Sequence, residues 1–507
     1  FTEEDKNWWA IKPVADPAPP AVSKANDGWA KSPIDRFIAA KLEEKKLQPA
    51  AAADAGELVR RLFFDLHGLP PGSEDVLAFE KAFAENPDKA TTELVDRLLA
   101  SPRYGERWGQ HWLDVVRYAE SDGYRADDYR PETWMYRDYV IRSFNGDKPY
   151  RQFIREQLAA DEFAADDPDT LIATAFMRLG IYEWNQRNAR MQWDLILTEM
   201  TNVTSEAFLG LGMGCAQCHD HKFDPILQKD YFALQSFFNT TWWPEDQTLA
   251  TPEERKAHDL KLAEWETATK EIRTELDAMT QPVLESKRKG AVIQFPDDVQ
   301  KIYWKPASGR TAHEEQLAQL VQRQVDFEYR RVDWKKTFAK DEKKLARHTE
   351  LTEALKKFDS LKPAPLPAAF VTTDTGNKPG ETLMKRRGKD EVVEPAFLTL
   401  LGHPAPEIKP TEKTTGRRTA LADWIASEKN PFTARVMVNR VWQRHFAEGL
   451  VATPNDLGML GEAPSHPELL DWLTTRFLED DWKLKNLHRL IMTSATYRQT
   501  EIGRAHV

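Results

Sequence analysis

The sequence predicts a mainly α-helical protein, and three observations carry that expectation. Apolar residues recur at three- and four-residue spacing along most of the chain, helix-start and helix-stop residues bracket those runs, and strand-type alternation is scarce. At about 100–200 residues per domain, the 507 residues divide into roughly two to four domains. With 41% apolar and 30% charged residues, the chain can build both a packed core and a solvated surface.

Residues 1–29 form an extended lead-in. Pro13, Pro17, Pro19 and Pro20 favour polyproline-like backbone, and Trp8, Trp9 and Trp29 are placed to pin it to a globular surface. Residues 30–240 read as a helical N-terminal domain. Ser32-Pro33 supplies a cap and a first-turn proline for a stripe of Ile34, Phe37, Ile38 and Leu42. Asp54 opens a second helix with Leu58, Leu62 and Leu66, stopped by Gly68 and Pro70-Pro71, and Ser73 opens a third with Val76, Phe79 and Phe83. Further helices are expected near 90–100, 104–119, 133–144, 150–159, 168–178, 190–209 and 228–238.

Residues 241–361 form a charged helical insert. Leu262, Trp265, Ile272, Leu276 and Met279 make one run, and Leu317, Leu320, Trp334, Phe338, Leu345, Leu351 and Leu355 a second. Pro282, Phe295-Pro296, Pro306, Ser308 and Gly309 interrupt them, which predicts an antiparallel, coiled-coil-like hairpin or, equally, two amphipathic helices lying on the flanking domains. Residues 362–500 begin with a Pro-, Gly-, Thr- and Lys-rich linker whose short β-like pieces (369–372, 391–393 and 397–401) suggest a small sheet. A helical C-terminal domain follows from Arg417, with apolar faces at Leu421, Trp424 and Ile425, at Val436, Val438, Val441 and Trp442 after Asn430-Pro431, and at Leu469, Leu470, Trp472, Leu473 and Phe477 after His466-Pro467. Both ends read as cut. Residues 501–507 resemble a translated library adapter and are set aside, His506 with them.

Lys and Arg number 70 against 81 Asp and Glu, giving a net charge of −11 that repels phosphate backbones and argues against nucleic acid as a general partner. The longest nearly apolar run, Ala207 to Ala216, is about half of the ~20 residues a membrane helix needs, so no transmembrane segment is expected. No Gly-rich phosphate loop, Gly-x-Ser-x-Gly elbow or zinc-protease helix motif occurs.

The chain has two cysteines, and they stand together as Cys215-Ala-Gln-Cys218-His219. Cys-x-x-Cys-His is the attachment signature of c-type haem. A separation of three puts both sulfurs on one side of a helical turn, within reach of the two vinyl groups on one haem edge, and His219 follows as an axial iron ligand. Gly210, Gly212 and Gly214 are expected to let backbone approach the porphyrin. Three alternatives stand beside this reading. A thioredoxin-type redox pair lacks its βαβ context, zinc held by Cys215, Cys218, His219 and His221 crowds four ligands into seven residues, and a structural disulfide or buried thiols need no cofactor.

On the iron's other face His111 is the first candidate ligand, followed by Met177, Met191, Met200 and Met213, with an open face as the alternative. Each also has an ordinary reading, as a buried histidine or a core methionine. His221 is expected to act as a hydrogen-bond partner or to lie exposed, and not to ligate the iron. Arg125 and Arg187, with Arg130 and Arg190, are candidate partners for haem propionates, against the plainer reading of an Arg–Asp network closing helix ends. Asp122, Asp127 and Asp128 depart from calcium-loop spacing. In the C-terminal domain Asn439, Arg440, His445, His466 and His488 are the polar residues of interest, although helix capping accounts for Ser465-His466-Pro467.

Several stretches resemble the planctomycete-type cytochrome C family. They are Pro33-Ile34-Asp35, Phe64-Asp65-Leu66 with Gly68-Leu69-Pro70-Pro71, Arg107-Trp108 with His111-Trp112-Leu113-Asp114, and Cys215 through Pro225. Residues from about 366 to 500 resemble the C-terminal domain that accompanies it, through Asn430-Pro431, Arg435, Asn439-Arg440, Gly449-Leu450-Val451, Ser465 to Leu470 and Tyr497-Arg498-Gln499. The resemblance implies one covalent haem c per chain and no particular reaction. It sets the expectation of a periplasmic or otherwise exported cytochrome module that passes electrons within a multidomain protein, to an upstream cytochrome domain or a redox partner protein. The alternatives are a haem enzyme with an open distal site acting on a carbohydrate or peroxide, and a scaffold protein with a structural Cys/His metal site.

Overall fold

A computed structural model describes residues 1–500 apart from Asn185, Asp246 and Arg387, with the backbone alone at Arg386. The suspected adapter segment, including His506, lies outside the described residues. The protein is mainly α, with four short strands in two two-stranded sheets among the described residues.

Local chemistry fixes the first helices. Ser32 caps α1 (Pro33–Glu44): its Oγ accepts the Asp35 N–H at 3.2 Å, while Asp35 Oδ2 accepts the Ser32 N–H at 2.9 Å. The buried Asp35 also accepts the Thr496 N–H and hydroxyl, both at 2.8 Å, which ties the start of the N-terminal domain to the end of the C-terminal one. Helix α2 (Ala55–His67) stops at Gly68, whose φ of +70° closes the helix in the left-handed conformation. Then come α3 (Ser73–Glu85), α4 (Pro87–Ala100), α5 (Pro102–Val115), α6 (Trp134–Asn145), α7 (Tyr150–Phe163), α8 (Ala189–Thr204) and α9 (Gln228–Gln235). The lead-in is not extended throughout, since Thr2 caps a short helix at Glu3–Asn7 and a 3-10 turn follows at Trp9–Ile11, but it is pinned as expected at Trp8, which is buried and donates its Nε1–H to the Leu457 carbonyl at 2.9 Å.

The insert differs from both expected arrangements. It comprises α10 (Pro252–Ala268), α11 (Lys270–Val292), α12 (Asp297–Trp304), α13 (Ala312–Arg330) and α14 (Glu342–Lys356). Helices α13 and α14 both pack on α11, so the second run is two helices joined through a single helical turn at Trp334–Thr337, and α13 also docks on α8. Its inner face, Leu317, Leu320, Val321 and Val325, is buried in the main core, and Gln316 donates to the carbonyls of Asn239 and Thr241 at 2.9 and 2.8 Å. One helix of the insert is therefore part of the body of the protein.

In the linker, β1 (Thr241–Trp242) pairs antiparallel with β2 (Thr373–Asp374), and β3 (Leu383–Arg386) forms a hairpin with β4 (Lys389–Val392). The β-like piece at 397–401 is instead a 3-10 turn at Thr399–Leu401, held by Thr399 donating to the buried Asp230. The C-terminal helices are α15 (Arg417–Ile425), α16 (Thr433–Phe446), α17 (Pro467–Glu479) and α18 (Leu484–Met492). No helix among the described residues is long and apolar enough to cross a membrane.

The fully buried Arg418 of α15 joins three regions. It forms a two-pronged pair with Asp161 of α7 at 2.6 Å on each arm, lies 3.5 Å from Glu162, and reaches Asp374 of β2 at 3.1 Å. Glu162 also accepts the Thr419 N–H at 2.7 Å, capping α15 from another domain. Burial raises the Glu162 carboxyl from 4.5 to about 7, against the opposing pull of Arg418.

Arg418→Met leaves these carboxylates buried without their cation and is expected to cost about 3–5 kcal/mol in urea unfolding. Because the folded chain holds the Glu162 proton to higher pH than the unfolded chain, this group's contribution to stability falls as pH rises from 4.5 to about 7. Unfolding free energies measured at pH 5 and about pH 8 should therefore differ less in Glu162→Gln than in the parent.

Candidate functional site

Helix α8 runs directly into a π-helical turn, Ser205–Leu209, that ends at Gly210 with φ +62°. A Cβ at Gly210 would come within 2.9 Å of Val436 Cγ2 on α16, so this glycine admits the C-terminal domain and not a porphyrin, contrary to its expected role. A 3-10 turn, Met213–Gln217, then carries Cys215, and Cys218 follows it as the C-cap; both are exposed free thiols.

His219 is exposed, and its Nδ1 lies 2.7 Å from the Asp220 carbonyl. A carbonyl only accepts, so Nδ1 is the donor, and Nε2 has no partner among the described residues. The turn is clamped on both sides. Asp220 Oδ1 accepts the Gln228 N–H at 2.8 Å, Gln228 donates to the Gln217 carbonyl at 3.1 Å, and Gln217 donates to Thr198 of α8 at 3.0 Å. His221 acts as the expected hydrogen-bond partner: its Nδ1 accepts the Asp224 N–H at 2.9 Å. The buried Asp224 in turn accepts the Met459 N–H at 2.7 Å, and burial raises its carboxyl. No three His, Cys, Asp or Glu side chains gather to hold a metal ion among the described residues, so geometry lends nothing to the four-ligand zinc reading.

Cys218 lines a cleft of about 820 Å³, within the range of roughly 300–1,000 Å³ usual for cofactor sites. Its walls come from α8 (Arg190, Leu197), α9 (Phe232), α13 (His313) and β3 (Leu383, Lys385). Arg190 is paired with Asp298 at 2.7 Å.

The other candidates lie elsewhere. His111 on α5 lines a second cleft, of about 200 Å³, which shares no lining residue with the first. Its imidazole is pushed down to about 3 by burial first, then by Arg444 and Arg107, and is therefore neutral. Met177, Met200 and Met213 are buried in the main core, and the exposed Met191 does not line the cysteine cleft. Arg187 donates to Gln294 and Gln324 at 2.9 and 2.8 Å, which joins it to the insert. The exposed Arg125 lies over the Tyr124 ring, 5.8 Å from its centre. Arg130 is buried against Asp122 at 2.6 Å, and Asp127 accepts the Gly123 N–H, so this acidic loop closes on itself. Of the four arginines, Arg190 alone reaches the cysteine cleft.

In the C-terminal domain Asn439 is structural, exchanging two hydrogen bonds with the Val451 backbone at 2.9 and 2.8 Å. Sequence reasoning singled out His445 and His488 without finding their partners. His488 Nδ1 lies 2.9 Å from His445 Nε2, His445 Nδ1 lies 3.2 Å from Asp65, and the Tyr497 hydroxyl donates to Asp65 at 2.8 Å. Asp65 and Tyr497 both stand in the family-like stretches, which was the available signal.

Fold and site thus define a mainly α-helical protein with a clamped Cys-x-x-Cys-His turn. Residues 33–242 match the family PSCyt2, described as a protein of unknown function (DUF1549), and residues 417–506 match PSD1, likewise of unknown function (DUF1553). This is the pair of domains the sequence resemblance named, and neither description assigns a ligand. No curated protein matches the chain, and no solved structure does.

His221→Ala removes the acceptor of a backbone N–H in this clamp and should cost about 1–3 kcal/mol in urea unfolding. The exposed His219→Ala should stay within about 0.5 kcal/mol of the parent.

Proposed function

We propose that the chain is an exported c-type cytochrome module that carries one haem and passes electrons within a multidomain protein or to a redox partner protein. The observation that carries the reading is the arrangement of His219: its Nδ1–H is held by the adjoining carbonyl, and its Nε2 has no partner among the described residues, in a segment that also carries two exposed thiols. That is the arrangement an iron ligand needs.

In this reading Cys215 and Cys218 form the thioether tethers. Each S–H adds across a vinyl group, the hydrogen going to the vinyl carbon, so no oxidant is required. His219 is the axial ligand, oriented by Asp220. Arg190 and Lys385 at the cleft rim offer cations to propionate carboxylates, while Arg125 and Arg187 stand apart. Leu197, Phe232 and Leu383 supply apolar wall. Bound haem supplies one-electron transfer, with a potential set by axial ligation and burial. His111 keeps to the other cleft, and His313 is the histidine that shares the cysteine cleft.

Expression with the haem-attachment machinery should give a polypeptide heavier by one haem, with a c-type spectrum in alkaline pyridine and dithionite. Cys215→Ala and Cys218→Ala should each lose one tether, and the double variant should lose the covalent band. A mature chain with no added mass overturns the proposal. Carbon monoxide binding to the reduced protein would favour the haem-enzyme alternative over a closed electron carrier.

A further inference from the structure

The second cleft has a chemistry of its own, independent of haem. It opens between α5 and α16, and so between the two regions that match the domain families. We propose that it is a binding site for a small organic carboxylate with an apolar ring, of the size of benzoate.

Three observations carry this. The first is volume. At about 200 Å³ the cleft exceeds the ~150 Å³ cavity that holds benzene in another protein, leaving room for a carboxylate on such a ring.

The second is the division of its walls. Trp108, Trp112 and Met437 make an apolar surface, and Arg440, Arg444 and Asn455 make a polar one. Trp108 is fixed in place: its Nε1–H donates to the Asp65 carbonyl at 3.1 Å, and its ring lies 4.0 Å from that of His488. His111 adds a neutral ring to the lining.

The third is uncompensated charge. Arg440 is 9% exposed. Its two terminal nitrogens donate to the Ala207 and Glu206 carbonyls and to Asn455 Oδ1, but its buried Nε–H has no partner. Among the described residues no carboxylate pairs with Arg440 or with Arg444. The Glu206 carboxylate attracts Arg440 from beyond ion-pair distance, so the buried guanidinium has no contacting counter-ion, which is costly. An anion from outside would relieve that cost, and the aromatic wall selects one with a ring.

The test uses the full chain, with saturation-transfer NMR on ligand ring protons and thermal-shift titration of benzoate, benzyl alcohol and inorganic phosphate. Benzoate should bind and raise the melting temperature, more tightly than either control. Arg444→Met, at an exposed position, should leave the unliganded melting temperature unchanged and weaken benzoate about tenfold, as expected for one lost charge-assisted hydrogen bond. Val115→Phe, which fills the cleft from its half-buried wall, should abolish binding without touching either arginine. No saturation at millimolar benzoate, equal binding of benzyl alcohol, equal binding of phosphate, or benzoate binding unchanged in both variants would each overturn the proposal.

Discussion

The protein is organised around a guanidinium that no water reaches. Arg418 is fully buried, and Asp161, Glu162 and Asp374 come to it from two other parts of the chain. Removing such charges from water costs several kcal/mol per ion, so the arrangement is tolerable only because almost every donor and acceptor is satisfied. Asp374 shows how far the consequence runs. Its other oxygen accepts the Thr415 N–H and hydroxyl, and its strand pairs with Thr241 and Trp242. The backbone just before and within β1 receives Gln316 of α13, and the Asn239 side chain bonds Gly380 and Thr382 ahead of β3. The walls of the cysteine cleft are therefore placed by contacts that lead back to one arginine.

What the sequence made legible follows the range of the interactions involved. The Ser32–Asp35 box, the Gly68 stop and the Cys-x-x-Cys-His turn are written in a few consecutive residues. Their geometry could be read without knowing the rest of the fold. The insert was harder, because helical periodicity says that a face is covered but not by what. Leu317 and Leu320 repeat at the same spacing whether they meet a hairpin partner or the flank of α8. Buried charges leave even less trace. Arg418, Asp161 and Glu162 look like surface residues in a window of sequence, since only the complete fold brings them together.

The arginines make the same point about the site. Arg125, Arg130, Arg187 and Arg190 are equally plausible partners for an anion when counted along the chain. All four have partners, Arg190 included through Asp298, but the fold keeps three away from the cysteine cleft: Arg130 faces Asp122, Arg187 faces the insert, and Arg125 lies over Tyr124. Arg190 projects from the first turn of α8 onto the cysteine cleft. One wall of that cleft comes from α13, the β3–β4 hairpin and the residues just ahead of it, more than ninety residues after Cys218, where no local motif announces them.

The C-terminal domain holds the cysteine turn at both ends, and this explains why a π turn sits where it does. A π turn interrupts the regular helical hydrogen-bond ladder and leaves carbonyls to be satisfied from elsewhere. Arg440 of α16 takes those of Glu206 and Ala207. Just beyond, Leu457 donates to the Gly210 carbonyl at 2.8 Å, and Met459 donates to Asp224 on the far side of His219. The thiols thus stand on a loop anchored twice by residues 440–459. A chain lacking that domain would lose the Arg440 donor to the Glu206 and Ala207 carbonyls, the packing of Gly210 against Val436 and the lock on Asp224 together. The C-terminal domain thus adds its own set of supports to a turn that the N-terminal domain clamps through Gln217, Asp220 and Gln228.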